Sequence, residues 1–189
     1  LRKLSTRESP AIDFVSSWSA DGEKILLHQC SATSCDVSQL SMTGEHTVEP
    51  LLAEEFGEFW GTLSPDGKWM AYQSNESGQQ QVYVRPYPDL DSGRWQVSTD
   101  GGSHPRWSPD GKEIFYQGST AMMVVPVETS ASFVPGNPEA LFELAGYGSL
   151  PLGLHYSFDP DGRRFLMFKT ATDSESKAIV VLNWFDELE

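Results

Sequence analysis

Basic residues are scarce in this chain of 189 residues. It carries 13 lysines and arginines against 27 aspartates and glutamates, and its formal net charge is −14 at pH 7. Nucleic acids need a basic surface to neutralise their phosphates, so this balance argues against a nucleic-acid partner. It argues equally against an anionic membrane surface, and no apolar run approaches the ~20 residues that a membrane span requires. We therefore expect no nucleic-acid binding and no direct membrane insertion.

Cysteine is also scarce, because only Cys30 and Cys35 occur, with Ser-Ala-Thr-Ser between them. No second pair of cysteines or histidines lies nearby at the spacing of a zinc site, so this pair is a poor metal-binding motif. The two thiols either stay free on the two sides of a loop or form a disulfide that closes a hairpin. We favour the disulfide, which would indicate an oxidising compartment.

Motifs for catalysis are missing as well. The sequence has no Gly-x-Ser-x-Gly elbow and none of the protein-kinase motifs (Gly-rich loop, His-Arg-Asp, Asp-Phe-Gly). A nucleophilic Ser or Cys needs a base and an orienting acid, and the histidines fall on scattered predicted strands. No pair of carboxylates is singled out for hydrolysis. We therefore predict a non-enzymatic chain that holds no cofactor and no metal.

A repeated turn motif organises the chain. Ser64-Pro65-Asp66-Gly67 recurs at 108–111, with looser copies at 19–22 and 159–162, and the glycines lie 45, 44 and 51 residues apart. A period in this range is typical of propellers and other repeat arrays. Ser-Pro-Asp-Gly matches a type I turn between two antiparallel strands.

Each copy of the motif has the same predicted strand order, which indicates an all-β protein. The strands after the turns are apolar on both faces, as expected for sheets packed between two neighbours. Third strands are predicted at 36–42, 80–87, 121–127 and 177–184, and fourth strands at 46–52, 94–99 and 140–144. The last copy lacks a fourth strand, and an extra strand at 1–5 is available to complete it. We predict one domain over 1–189, a β-propeller of four-stranded antiparallel blades at roughly 10–52, 57–100, 102–145 and 153–189.

The sequence resembles TolB-type β-propellers, whose blades carry the Ser-Pro-Asp-Gly turn between their inner strands. The most specific part runs from Gly61 to Val127. Together with the ending Val180-Val-Leu-Asn-Trp-Phe-Asp-Glu-Leu, it looks like the C-terminal propeller of certain bacterial transmembrane serine/threonine kinases. The resemblance implies an extracytoplasmic (periplasmic or cell-surface) sensor or interaction module of a longer, membrane-anchored protein. Because such propellers usually have six or more blades, three forms stay open: part of a larger ring, a four-bladed ring, or half of an eight-bladed homodimer.

Candidate binding residues follow from the repeat, because propellers bind ligands where the innermost strands begin. Equivalent positions there carry Val15, Trp60, His104 and His155. Aromatic and arginine side chains are typical interface anchors. The candidates are Glu58, Trp60, His104, Arg106, His155 and Tyr156. The alternative is that they line a wet channel or pack between blades. We predict a protein- or peptide-binding or ligand-sensing propeller; the alternative function is the substrate-gating propeller of a prolyl-oligopeptidase-like hydrolase.

Overall fold

The computed structural model describes residues 12–147, 156–162, 164–169 and 177–181, and these residues form four antiparallel sheets. Every sheet is built from strands that are consecutive in the chain. Sheet 1 contains β1 (Ile12–Trp18), β2 (Lys24–Cys30), β3 (Cys35–Ser41) and β4 (Val48–Leu52). Sheet 2 contains β5 (Glu58–Leu63), β6 (Trp69–Ser74), β7 (Gln81–Pro86) and β8 (Trp95–Gln96), with a short 3-10 helix at Leu90–Ser92.

The third and fourth sheets differ from the first two at their outer edges. Sheet 3 contains β9 (Ser103–Trp107), β10 (Glu113–Gln117) and β11 (Ala121–Glu128), and two segments pair with β11: β12 (Val134–Pro135) and β13 (Glu139–Glu143). Sheet 4 contains β14 (Tyr156–Phe158), β15 (Phe165–Lys169) and β16 (Lys177–Val181). The strand predicted at 1–5 lies outside the described residues, so its pairing with the last sheet stays a prediction.

The repeated turn is held by the same hydrogen bonds in three sheets. In sheet 2 the Gly67 amide donates to the Ser64 carbonyl at 2.9 Å, and Ser64 Oγ donates to Asp66 Oδ1 at 2.6 Å. Ser64 Oγ also accepts the amide of Trp69 at 3.0 Å. The turn at 159–162 lacks this serine, and there Asp159 Oδ1 accepts the Arg164 amide at 3.2 Å instead. The turn is therefore a structural element that recurs once per sheet.

The sheets pack face to face in chain order, as propeller blades do. The cluster between sheets 1 and 2 contains Leu26, Val37 and Leu52 from the first and Leu63, Met70, Tyr72 and Tyr83 from the second. Ala71, which follows Met70, faces the opposite way and joins Trp107, Ile114 and Tyr116 of sheet 3. Sheets 3 and 4 meet through Phe115, Tyr156, Phe165 and Met167. Sheets 2 and 3 are thus buried on both faces, and the packing confirms the predicted fold.

The two ends of this series expose large apolar side chains. Leu63 and Trp107, which end the inner strands of sheets 2 and 3, are 7% and 5% exposed because the preceding sheet covers them. Trp18 ends the inner strand of sheet 1 and is 54% exposed. At the other end, Leu166 of sheet 4 is 44% exposed, whereas its counterpart Phe115 is 1% exposed.

Two local details refine the sequence analysis. Cys30 and Cys35 form a disulfide at the end of the β2–β3 hairpin, where they are directly paired. The strand predicted at 94–99 is shorter, because the hydroxyl of Ser98, and not a backbone carbonyl, accepts the Val82 amide at 2.8 Å. In the part of the chain that the structure describes, no helix is long and apolar enough to cross a membrane.

Candidate binding site at the inner strands

A β-bulge interrupts the inner strand of each of the first three sheets near its start. The register shifts between Val15 and Ser17 in sheet 1, between Phe59 and Thr62 in sheet 2, and opposite the step from Phe115 to Gln117 in sheet 3. A bulge places an extra residue in one strand and turns a side chain in a new direction. It therefore displays side chains at equivalent places on neighbouring sheets.

Trp60 and His104 occupy the bulges of sheets 2 and 3 with a left-handed backbone, each at a φ of 54°. A bulky L-residue in this region costs about 1 to 3 kcal/mol, and such strain is concentrated at functional sites. Their ring centroids lie 4.6 Å apart. The sequence analysis placed these two residues at equivalent positions, and the structure brings them into contact.

The contact between Trp60 and His104 is part of a longer row of rings. His28 lies 4.4 Å from Trp60, and Phe14 stacks on His28 at 4.8 Å with an interplanar angle of 14°. We call Phe14, His28, Trp60 and His104 the aromatic row. His28 is buried and the other three are half-buried, so the row presents ring edges and faces from three adjacent sheets. Phe14 and His28 were not among the predicted candidates; the signal for them is that they pair directly across β1 and β2.

His28 anchors the row and is a poor catalytic base. Burial lowers the pKa of His28 to about 4, so its ring is neutral at physiological pH. Ser16 Oγ lies 3.3 Å from His28 Nδ1, the geometry of a serine–histidine pair. A general base works best with a pKa near the operating pH, and both side chains are buried. The contact with Ser16 therefore holds the His28 ring in position, and His28 is poorly suited to activate the Ser16 hydroxyl.

Neighbouring sheets fix the backbone of His104 from two sides. The His104 amide donates to Gln73 Oε1 of sheet 2 at 3.1 Å. The hydroxyl of Tyr156 in sheet 4 donates to the His104 carbonyl at 2.8 Å and to the Phe115 carbonyl at 3.1 Å. Tyr156 is buried, and burial raises its pKa, so it stays neutral. The predicted candidate Tyr156 thus lies behind the row, where it supports the bulge.

Arg106 lies two residues after His104 on β9, opposite Phe115. Its side chain is half-buried, and its Nε is buried without a hydrogen-bond acceptor. Burial lowers its pKa, and the nearby Tyr156 opposes that shift.

Glu58 lies two residues before Trp60, but it is only 1% exposed. Burial raises the pKa of Glu58 to about 7, and the carboxylates of Glu54 and Asp36 add to this shift while Arg85 opposes it. Its Oε2 has no hydrogen-bond partner. A partner cannot reach Glu58 while the sheets are packed in this way. The remaining predicted candidate, His155, lies outside the described residues.

Among the described residues, no group of three or more His, Cys, Asp or Glu side chains is arranged to hold a metal ion. The site therefore consists of aromatic surface, backbone under strain and one arginine. Such a set suits non-covalent recognition of a partner.

Successive four-stranded sheets packed face to face, with a turn repeated at the same strand junction, define a β-propeller. Neither a protein-family model nor a curated protein sequence matches the chain. Solved structures do match. TolB from Acinetobacter baumannii aligns at 15% identity with a TM-score of 0.67, over 92% of this chain and 41% of that one. A puromycin-hydrolysing peptidase of Mycobacterium tuberculosis aligns at 14% identity and a TM-score of 0.60, over 88% of this chain and 30% of that one.

A third similar structure is one of two prolyl endopeptidases, at 14% identity and a TM-score of 0.52, over 91% of this chain and 28% of that one. These comparisons confirm the TolB-type propeller as the fold of this chain. The chain spans less than half the length of each of these structures. The resemblance to kinase-associated propellers stays a prediction.

Proposed function

We propose that this chain is a non-enzymatic module that binds a protein or a peptide through the aromatic row. The observation that carries the proposal is the pair Trp60 and His104, two bulky residues held at a φ of 54° on adjacent sheets with their rings in contact. The backbone strain at both positions is retained although a residue such as Asn or Gly would relieve it. We therefore attribute the strained backbone at these two rings to a binding partner that contacts them.

The chemistry of the row favours a polypeptide ligand. Rigid aromatic side chains lose little conformational entropy on binding and dominate the affinity of many interfaces. The bulge is held by Gln73 and Tyr156, so the row is organised before a partner arrives. Nothing in this arrangement requires a bond to be made or broken.

The parent of this module is also part of the proposal. The resemblance to kinase-associated propellers supports an extracytoplasmic position in a larger bacterial receptor-like protein. The disulfide between Cys30 and Cys35 agrees with that position, since disulfides persist in oxidising compartments.

A second candidate function is the gating propeller of a prolyl-oligopeptidase-like hydrolase. The likeness to two peptidase structures favours it. In that case the full-length parent hydrolyses proline-containing peptides, and a change in the row alters the preference for substrate length. A full-length parent that lacks peptidase activity would remove this candidate.

A peptide library displayed on phage tests the binding function. Peptides that bind the wild-type chain are synthesised, and their affinities are measured for Trp60→Asn and for the control Val134→Ser, which removes an exposed apolar side chain at the outer edge of sheet 3. Asn tolerates the left-handed backbone, so the first variant removes the ring without disturbing the bulge. We expect a loss of at least about tenfold for Trp60→Asn and none for the control. Unchanged affinity for Trp60→Asn would contradict the proposal.

The sheet series has two exposed ends, and we propose that a second copy of the chain packs against them. Within the chain, the preceding sheet covers Leu63 and Trp107, whereas among the described residues Trp18 and Leu166, at the two ends of the series, lack such cover. Joining the last sheet of one copy to the first sheet of another covers both and continues the existing packing. Light scattering tests this: a dimer that Trp18→Ser converts to a monomer supports it, and a monomeric wild-type chain overturns it.

A further inference from the structure

We propose that Arg106 is a binding site for a carboxylate group of the bound peptide. This inference rests on the proposed function and deepens it, because it adds a charge requirement to an aromatic surface. The carboxylate is either the C-terminus of the peptide or the side chain of an acidic residue, and the two sources share the chemistry that the guanidinium recognises.

Arg106 differs from every other arginine that the structure describes. Arg85 pairs with Glu54 at 2.6 Å, Arg94 pairs with Glu76 at 2.6 Å, and Arg164 pairs with Asp159 at 2.7 Å. Within the described residues, the side chain of Arg106 has no ion pair and no hydrogen bond, although acidic residues outnumber basic ones by about two to one in the chain. An unpaired cation is therefore not explained by a shortage of carboxylates.

Burial makes this missing partner costly. Removing an N–H group from water without an acceptor is unfavourable, and buried polar groups are normally hydrogen-bonded. The Nε of Arg106 is buried and has no acceptor. A ligand oxygen placed there recovers the lost hydrogen bond and supplies the missing charge.

Tyr156 interacts electrostatically with Arg106 but cannot serve as its counter-ion. Tyr156 already donates its hydroxyl proton to the carbonyls of His104 and Phe115, the residues that flank Arg106 along the strand and across the sheet. Because burial raises the pKa of Tyr156, its hydroxyl carries no negative charge at neutral pH. Tyr156 stabilises the backbone around Arg106, and the guanidinium remains free to bind a ligand.

The repeat itself does not require an arginine at this position. The equivalent residues of sheets 1 and 2 are Ser17 and Thr62, which are short and uncharged. Ser17 Oγ donates to the Gly61 carbonyl of the next sheet at 3.4 Å, a local contact that needs no charge. The arginine is thus a departure from the repeat, and it occurs beside the aromatic row.

A single carboxylate fits the site better than a polyanion does. The planar fork of a guanidinium binds carboxylate or phosphate oxygens in pairs. The net charge of −14 repels nucleic acids and anionic membranes over long range, whereas one carboxylate on a peptide experiences little of this repulsion. A peptide that carries both an apolar side chain and a carboxylate can contact the row and Arg106 together.

Small paired probes test the charge requirement directly. N-acetyl-tryptophan and N-acetyl-tryptophan amide differ only in a terminal carboxylate, and N-acetyl-glutamate amide carries the carboxylate on its side chain. Binding is followed by the NMR signal of the Arg106 Nε–H group, assigned by its loss in Arg106→Gln. We expect the wild-type chain to bind at least one acid about tenfold more tightly than the uncharged amide. We expect Arg106→Gln to reduce this ratio to about one.

Two further variants keep the test specific. Arg94→Gln removes an arginine that already has a carboxylate partner, so it should leave the ratio unchanged. Arg106→Lys keeps the charge without the fork and should give an intermediate ratio. Equal affinity for acid and amide in the wild-type chain, or no binding of any probe, would overturn the proposal. The acid-to-amide ratio of the tryptophan pair, compared with the ratio of N-acetyl-glutamate amide to N-acetyl-glutamine amide, separates a terminal carboxylate from a side-chain one.

The peptides selected on phage separate this inference from the proposed function. If the peptides lose affinity for Trp60→Asn but tolerate amidation and Glu→Gln or Asp→Asn replacement, the proposed function stands and the carboxylate site is wrong. If the peptides require the carboxylate and Arg106 but bind Trp60→Asn with unchanged affinity, the carboxylate site stands and binding through the aromatic row is wrong.

Discussion

Replacing Glu58 by Gln changes how the stability of the chain depends on pH, because Glu58 and His28 act in opposite directions. Both side chains are buried, with exposures of 1% and 2%. Burial disfavours the charged form of each, which raises the pKa of the acid and lowers the pKa of the base. The two pKa shifts change the free energy of unfolding in opposite directions over nearly the same pH range. Their contributions therefore largely cancel in the wild-type chain.

The contribution of Glu58 is present at low pH and is lost as the pH rises. Its pKa increases from 4.5 to about 7 on folding, so between these values the folded state binds a proton that the unfolded state does not bind. The free energy of unfolding therefore falls through this window, by about 3 kcal/mol in total. Glu58→Gln keeps a neutral side chain of similar shape and removes this decline.

The contribution of His28 has the opposite sign. Its pKa decreases from 6.5 to about 4 on folding, so between these values the unfolded state binds a proton that the folded state does not bind. The free energy of unfolding therefore rises with pH through this window, again by about 3 kcal/mol. We expect the wild-type curve to be nearly flat where the windows overlap and the Glu58→Gln curve to rise.

Urea unfolding from about pH 5 to about pH 7.5 measures the difference between variant and wild type, and this range lies above the sequence pI of about 4.5. We expect Glu58→Gln to gain about 2 to 3 kcal/mol relative to wild type between these limits. The exposed Glu55→Gln serves as the control and should show a constant difference. A constant difference for Glu58→Gln would show that its carboxyl is not protonated by burial and would refute the reasoning.

Three further changes test the scaffold. Gly61→Ala places a Cβ 2.8 Å from Val37 Cγ1, and we expect thermal unfolding to show a loss of about 1 to 3 kcal/mol from overpacking between sheets 1 and 2. Ser108→Ala removes the hydroxyl that binds Asp110 at 2.7 Å and the Glu113 amide at 3.0 Å, which should cost about 1 to 2 kcal/mol in urea. Cys30→Ser opens the short disulfide loop and should cost about 2 kcal/mol, a loss that reducing agent reproduces in the wild-type chain.

Two of these scaffold predictions have a matched control. Ala at Gly22, which has open space around its Cβ position but a φ of 72°, separates backbone strain from the crowding expected at Gly61. Ala at Ser119, an exposed loop serine, separates the specific role of Ser108 from the general effect of losing a hydroxyl. No loss of stability in Ser108→Ala would show that the repeated turn does not depend on its serine.

The propeller could be predicted from the sequence because its signals are periodic and local. One turn motif at a regular spacing located the inner strands, and the apolar runs after each turn indicated sheets that are buried on both faces. The equivalent positions of Trp60 and His104 followed from the same spacing. The regular hydrogen bonds of Ser64 and Ser108 explain why this alignment is reliable: the serine makes the same contacts in the turns of the first three sheets.

The rest of the candidate site depended on contacts that the spacing does not contain. The stacking of Phe14 on His28 arises from pairing across two strands, and the burial of Glu58 arises from the packing of sheet 2 against sheet 1. Tyr156 was expected to contact a partner, but its hydroxyl hydrogen-bonds to two backbone carbonyls and stabilises the bulge at His104. Sequence position alone cannot distinguish a side chain that faces a partner from one that holds up its neighbour.

In a repeat protein, a residue that the architecture demands recurs at its position, and a residue kept for another purpose breaks the pattern. Ser19, Ser64 and Ser108 make the same two hydrogen bonds in three sheets, so their identity is explained by the turn. The position of Arg106 is filled in the other sheets by two serines and a threonine, and none of the described residues accepts a hydrogen bond from its Nε. Because an Nε–H group that is buried without an acceptor lowers the stability of the chain, a scaffold role predicts that Arg106→Gln is destabilising, whereas a binding role predicts that it is neutral or stabilising. Urea unfolding of Arg106→Gln without any ligand therefore separates these two explanations.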